Sequence, residues 1–212
     1  MSSTTTKPAS TSSPSNQGVN YRLPKSLIPY KYDLMFRVQF EKEVNDSFPY
    51  DGEVTMYFTC VQDTSDLIFH INKISVDNST LSIKSATDSL FTDINAFTWK
   101  NDYERQFFVA NLQKSFKANN NYTLSMKFTG YLASDNVGFY RSSYLNDQNA
   151  KVWLLASQMQ PTDARKSFPC FDEPGMKASY KISVEHRSDY NATSNMPIHN
   201  ITHLYVFIKR TR

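Results

Sequence analysis

Apolar and polar residues alternate along most of this chain in short runs, the period-two pattern of strands with one buried face. The clearest run is Gly52 to Val61, where Val54, Met56, Phe58 and Cys60 alternate with Glu53, Thr55, Tyr57 and Thr59. Tyr32 to Phe40, Ile74 to Ile83, Phe107 to Leu112 and Tyr122 to Leu132 repeat the pattern. Asp66 to Ile71 and Lys151 to Ala156 are shorter apolar runs. Tyr180 to His186 closes the series, with Tyr180, Ile182 and Val184 on one face. Runs spaced by about 10–15 residues, with Asn, Asp, Ser and Gly at the breaks, predict an all-β fold, an antiparallel β-sandwich. Helical periodicity is nearly absent, and no internal repeat is evident.

The ends break the pattern. Residues 1 to 20 are almost wholly Ser, Thr, Pro, Asn, Gly and Lys. Such a segment buries too little apolar surface to offset its ordering entropy, so it reads as a disordered tail or as a Ser/Thr/Pro-rich stalk that carries O-glycans. The patterned region spans 21–197. Residues 198–212 form a separate tail with the apolar run Leu204 to Ile208 and a basic end. A chain ending just after such a run is either complete at an edge strand or cut short.

Composition narrows the function. A net charge of +3 with no Lys/Arg block argues against nucleic acid as a partner. No stretch of about 18 apolar residues is present, so no segment of this chain is expected to span a bilayer. The first residues lack the apolar core of a signal peptide. Two cysteines, Cys60 and Cys170, allow one bridge at most and are expected to be buried free thiols.

Candidate chemistry concentrates in Gln158-Met-Gln-Pro-Thr-Asp-Ala-Arg-Lys-Ser-Phe-Pro-Cys-Phe-Asp-Glu-Pro-Gly175. Three prolines and little apolar periodicity make it an ordered connection between strands, the kind of segment that carries binding groups. If the run from Lys151 is a strand, Gln158 and Gln160 project to one side and could hold a small polar end group such as a peptide's ammonium. Asp163 and Arg165 are expected to pair or cap locally, and Asp172 and Glu173 to fix the loop by hydrogen bonds. Cys170 has no histidine near it in sequence, so it reads as structural.

Metal and glycan motifs are weaker. His199 and His203 have the i, i+4 spacing of a helical zinc motif, but Asn200 stands where the general-base Glu belongs. The surrounding residues favour a strand, where i and i+4 lie about 13 Å apart, too far to share a zinc. No metal site is expected in this chain. Asn-x-Ser/Thr sequons at Asn45, Asn78, Asn121, Asn191 and Asn200 are glycosylation candidates.

From Tyr21 to Pro197 the sequence resembles the M1 zinc aminopeptidases, most closely the aminopeptidase N type. The matching pieces run in order: Tyr21-Arg-Leu-Pro24, Pro29 to Leu34, Gly52-Glu-Val-Thr55, Leu67-Ile-Phe-His70, Gly138-Phe-Tyr-Arg-Ser142, Gln158-Met-Gln160, Thr162-Asp-Ala-Arg165, Phe168-Pro-Cys-Phe-Asp-Glu-Pro174 and Ser194-Asn-Met-Pro197. The resemblance implies an N-terminal β-saddle domain beside a zinc-bearing catalytic domain. It implies that Gln160 accepts a hydrogen bond from a peptide's free α-amino group and that Gln158 lines the pocket for the first side chain. The family's Gly-x-Met-Glu-Asn and His-Glu-x-x-His motifs, with the zinc they serve, are absent from this chain. The expectation is a domain that is inactive alone: a truncated isoform, a fragment, or a binding module that associates with a full-length aminopeptidase or another protein. The parent type implies a membrane-anchored enzyme facing the extracellular side.

Overall fold

The computed structural model describes residues 19–40, 43, 47–86 and 97–202. Ten strands carry the fold, and the described residues contain no α-helix. In chain order they are β1 Leu27–Val38, β2 Pro49–Cys60, β3 Thr64–His70, β4 Ile74–Ser85, β5 Phe97–Asp102, β6 Phe107–Phe116, β7 Asn121–Tyr131, β8 Gly138–Leu145, β9 Lys151–Gln158 and β10 Ser179–Glu185. One five-stranded sheet has the order β10-β1-β2-β7-β4 and a three-stranded sheet the order β3-β6-β5. The β8–β9 hairpin forms a third, two-stranded sheet. Most pairs are antiparallel, as the sequence predicts, but β10 lies parallel to β1.

Alternation places the core. Tyr50, Val54, Met56, Phe58 and Cys60 of β2 are buried, and so are Tyr122, Leu124, Met126 and Phe128 of β7 beside them. Two glycines make room for rings within this pair. Gly52 sits opposite Phe128 and Gly130 opposite Tyr50, and a Cβ on either glycine would run into the facing ring. In β1 the alternation slips by one residue. Leu27 and Pro29 are buried, then Tyr32, Leu34 and Phe36, because pairing with β2 jumps from Pro29 to Lys31 and leaves Tyr30 as a bulge.

The second sheet packs Leu67, Phe69, Phe107, Phe108 and Ala110 into the same apolar core. Phe58 joins the layers, with its ring 5.6 Å from Phe116 and 6.1 Å from Phe171. The hairpin is tied in by Phe139, 4.7 Å from Phe36, and by Trp153, 5.1 Å from Phe48. A long irregular segment, residues 159–178, links β9 to β10 and sits on this core.

Candidate functional site

The 159–178 segment is irregular but tightly held. A 3-10 turn, Ala164–Lys166, is its only regular piece. Phe168, Cys170, Phe171 and Met176 are buried and anchor it to the core. Several polar groups of the segment find partners in distant parts of the chain. The Tyr32 hydroxyl accepts the Phe171 N–H at 3.1 Å. The Tyr50 hydroxyl lies 3.0 Å from the Ser167 carbonyl and donates to it. Burial pushes the Tyr32 phenol well above its ordinary pKa and Tyr50 upward as well, so both stay neutral.

Charge completes the latch. Arg165 Nε donates to Asp172 Oδ2 at 2.9 Å and Nη2 to the Asp172 carbonyl at 3.0 Å, with both side chains almost buried. Asp163 does not pair with Arg165, contrary to the local pairing expected from sequence; it binds Lys166 at 2.8 Å. The three-residue spacing of Asp163 and Lys166 suits one turn of tight helix, which the intervening 3-10 turn supplies. Glu173 accepts from Arg22 Nη1 at 2.6 Å and from the Leu23 N–H at 3.1 Å. The Tyr21-Arg-Leu-Pro24 motif is thus docked onto Glu173, and Asp172 and Glu173 shape the loop by hydrogen bonds as expected.

His70 and Cys170 lie 100 positions apart in sequence and face each other in space. They are bridge partners: the His70 N–H donates to the Cys170 carbonyl at 2.8 Å and the Cys170 N–H to the His70 carbonyl at 3.2 Å. His70 Nδ1 accepts the Asp172 N–H at 3.2 Å, which places the ring proton on Nε2. A cysteine beside a histidine raises the question of a thiolate nucleophile. The environment answers it. Burial drives the Cys170 thiol well up. Burial, reinforced by the Arg165 charge, drives the His70 imidazole down to about 3. Both groups are neutral near pH 7, so neither a thiolate nor an imidazolium forms. Cys60 is likewise a buried free thiol whose pKa burial raises.

The shoulder of the loop is different. Strand β9 ends at Gln158, two residues beyond the run read from sequence, and Gln160 follows in a turn with a cis bond to Pro161. Period-two alternation therefore does not relate the two glutamines. Instead Gln158 Oε1 accepts the Gln160 N–H at 3.2 Å. Both side chains are exposed. The Gln158 acceptor is engaged within the turn, while the Gln160 side chain has no hydrogen bond to any described residue.

The remaining candidates are scattered. Asn121 is exposed and its Oδ1 accepts the Thr59 hydroxyl at 2.7 Å. Asn191 and Asn200 are exposed on irregular backbone, and Asn78 is half-buried in β4. Asn45 and His203 lie outside the described residues; His199 is exposed. Among the described residues no three His, Cys, Asp or Glu side chains gather as a metal site. Zinc does not fit the described side chains. No helix among them is long and apolar enough to cross a membrane.

The sequence profile of the peptidase M1 N-terminal domain matches residues 28–205. The chain belongs to this family. Aminopeptidase N of Bos taurus is 37% identical over 196 residues, which cover 91% of this chain and 20% of the relative. Aminopeptidase N of Homo sapiens is 37% identical over 202 residues, with 92% and 20% covered. Glutamyl aminopeptidase of Rattus norvegicus is 34% identical over 187 residues, with 87% and 19% covered. The chain thus spans about a fifth of the length of these relatives. Its β-rich architecture is that of the M1 N-terminal domain.

Sequence reasoning missed the parts of the latch that come from elsewhere. Arg22 and Tyr32 were visible only inside the Tyr21-Arg-Leu-Pro24 and Pro29 to Leu34 matches, and Tyr50 looks like an ordinary strand residue in sequence. His70 was visible only as the end of the Leu67-Ile-Phe-His70 match.

Proposed function

We propose that this chain is the amine-anchoring N-terminal part of a zinc metallo-aminopeptidase and does not hydrolyse peptides by itself. The observation that carries the reading is the free acceptor of Gln160, presented on a loop whose other polar groups are bound inward. An ammonium donates and does not accept, so an exposed amide carbonyl on a fixed turn suits it. Gln158, its carbonyl engaged, lines the space beside it for the first side chain. The zinc and the groups that activate water would come from the rest of the parent enzyme.

The test has two arms. Purified chain is expected to release nothing from aminoacyl chromogenic substrates; chelator-sensitive release would overturn the claim of inactivity. In a chimera, residues 21–197 replace the matching part of an aminopeptidase N. There Gln160→Ala is expected to raise KM with a smaller change in kcat. A hydrogen bond to a charged group contributes about 1.5–3 kcal/mol, roughly a 10- to 100-fold change. An unchanged KM would remove Gln160 from the anchor.

A second reading makes the chain a non-catalytic partner of a full-length aminopeptidase, and strand β10 favours it. Tyr180, Ile182 and Val184 are in register with Tyr32, Leu34 and Phe36 and share their core-facing side. Yet they are 50%, 56% and 45% exposed, on a strand at the sheet edge. An uncovered row of core-facing side chains marks an interface. Co-sedimentation with an aminopeptidase N, abolished by Ile182→Lys, is the expected result. Absence of a complex at micromolar concentration would dismiss this reading.

A further inference from the structure

Gln158 and Gln160 are exposed, but Met159 between them is half-buried. Met159 is bound at two atoms to the turn that follows it. Its carbonyl accepts the Asp163 N–H at 3.0 Å, and its Sδ accepts the Ser167 hydroxyl at 3.5 Å. Side chain and main chain of the middle residue are therefore held inward while its two neighbours face solvent.

Ser167 makes this seat specific. It is wholly buried, at 0% exposure. A buried hydroxyl without a partner is costly, and an alanine would avoid that cost. The Met159 thioether, a weak acceptor, is the partner the structure gives it. The main chain around the seat is fixed as well. The Ser167 N–H donates to the Ala164 carbonyl at 2.9 Å, and its carbonyl accepts the Tyr50 hydroxyl at 3.0 Å. Asp163 is clamped by Lys166, whose N–H donates to its carbonyl at 3.1 Å and whose ammonium pairs with its carboxylate at 2.8 Å.

The β8–β9 hairpin meets the same seat. Gly138, opposite Gln158 at the hairpin base, is buried and has φ +65°. A Cβ there would lie 3.1 Å from Lys166 Cβ, 3.2 Å from Ser167 Oγ and 3.3 Å from the Asp163 carbonyl oxygen. Only glycine gives this backbone without strain and this close an approach. The end of β9 is thus held to the seat through Gly138 across the hairpin, and the turn after it through Met159.

We propose that Met159 and Ser167 are positioning residues for the Gln160 amide: Met159, seated on Ser167, fixes the turn so that the Gln160 acceptor stands in place before a peptide amine arrives. This inference rests on the amine-anchor reading of Gln160. Neither residue touches the peptide. An acceptor fixed in advance loses little freedom on binding, and truncating Met159 returns that ordering cost to the binding step.

The experiment starts on the full chain. The Gln160 amide is bonded to Gln158 Oε1 and the Asp163 amide to the Met159 carbonyl. In Met159→Ala, hydrogen exchange at both is expected to quicken by about three-fold or more, as local loosening requires. The Phe171 amide, bonded to Tyr32, is expected to keep its rate. Met159→Leu keeps the bulk of the side chain and is expected to restore most of the protection. Unchanged exchange at Gln160 and Asp163 overturns the proposal. The aminopeptidase N chimera then reads function. There Met159→Ala is expected to raise KM about 2- to 10-fold with kcat little changed, and to add nothing on a Gln160→Ala background. A KM unmoved by Met159→Ala, or raised equally on both backgrounds, overturns the positioning role while Gln160→Ala still marks the anchor. A KM unmoved by Gln160→Ala removes the anchor reading itself. Ser167→Ala, expected to move KM the same way by a smaller factor, repeats the cycle should Met159→Ala fail to fold.

Discussion

Two irregular segments flank strand β10, and they are built in opposite ways. Residues 159–178 precede it and residues 186–202 follow it. The first binds inward at almost every polar group, through partners more than 100 residues away such as Tyr32, His70 and Arg22. The second has mainly short-range bonds, such as Arg187 to Asp189 at 2.7 Å, and most of its residues are exposed. Lack of regular secondary structure therefore says little about rigidity. What separates a platform from a surface loop is where its hydrogen bonds end.

The sharpest way to break the contrast is Arg165→Met. It leaves the Asp172 carboxylate nearly buried and without its cation, and removing one partner of a buried pair costs about 3–5 kcal/mol. Denaturant titration should show that loss, whereas Arg187→Ala, breaking an exposed pair, should stay within about 0.5 kcal/mol. Equal effects would mean that the two segments are not energetically distinct. Tyr32→Phe is milder. It strands the buried Phe171 N–H and is expected to cost about 1–3 kcal/mol.

His70 gives a signature in pH. Its pKa is about 3 folded, against about 6.5 in an unfolded chain. Between those values the unfolded state binds the extra proton, so stability declines as pH falls from about 6.5 toward 3. His70→Asn keeps an acceptor near the Asp172 N–H and removes the titration. Its melting temperature should be flatter than wild type between about pH 6.5 and 4.5, above the carboxylate range. Identical slopes would mean that the imidazole is not held neutral by the fold.

Part of this architecture was legible in sequence. Val54, Met56, Phe58 and Cys60 announce β2 because both neighbouring strands leave one face to the core. Strand β8 was missed because Arg141, Ser142 and Ser143 interrupt its apolar side, and β5 because Trp99 stands among Thr98, Lys100 and Asn101. The glutamine turn was legible only through family resemblance, since its geometry depends on where β9 stops. Of the latch only the loop-fixing role of Asp172 and Glu173 was legible, and none of their partners: a bond such as His70 to Asp172 joins segments whose proximity is a property of the whole fold. The bare face of β10 was hidden for a related reason, because alternation shows which side chains share a side but not whether anything covers them.

The bulge at Tyr30 has a consequence for how such chains change length. Leu27 and Pro29 face inward before it and Tyr32, Leu34 and Phe36 after it. Deleting Tyr30 would leave an unbroken alternation with the same inward set. A one-residue insertion after Tyr32 would turn half the strand inside out, Leu34 and Phe36 with it. A Tyr30 deletion should therefore keep a cooperative melt, while the insertion abolishes it. Position 30 is where related chains can gain or lose a residue without altering their interior.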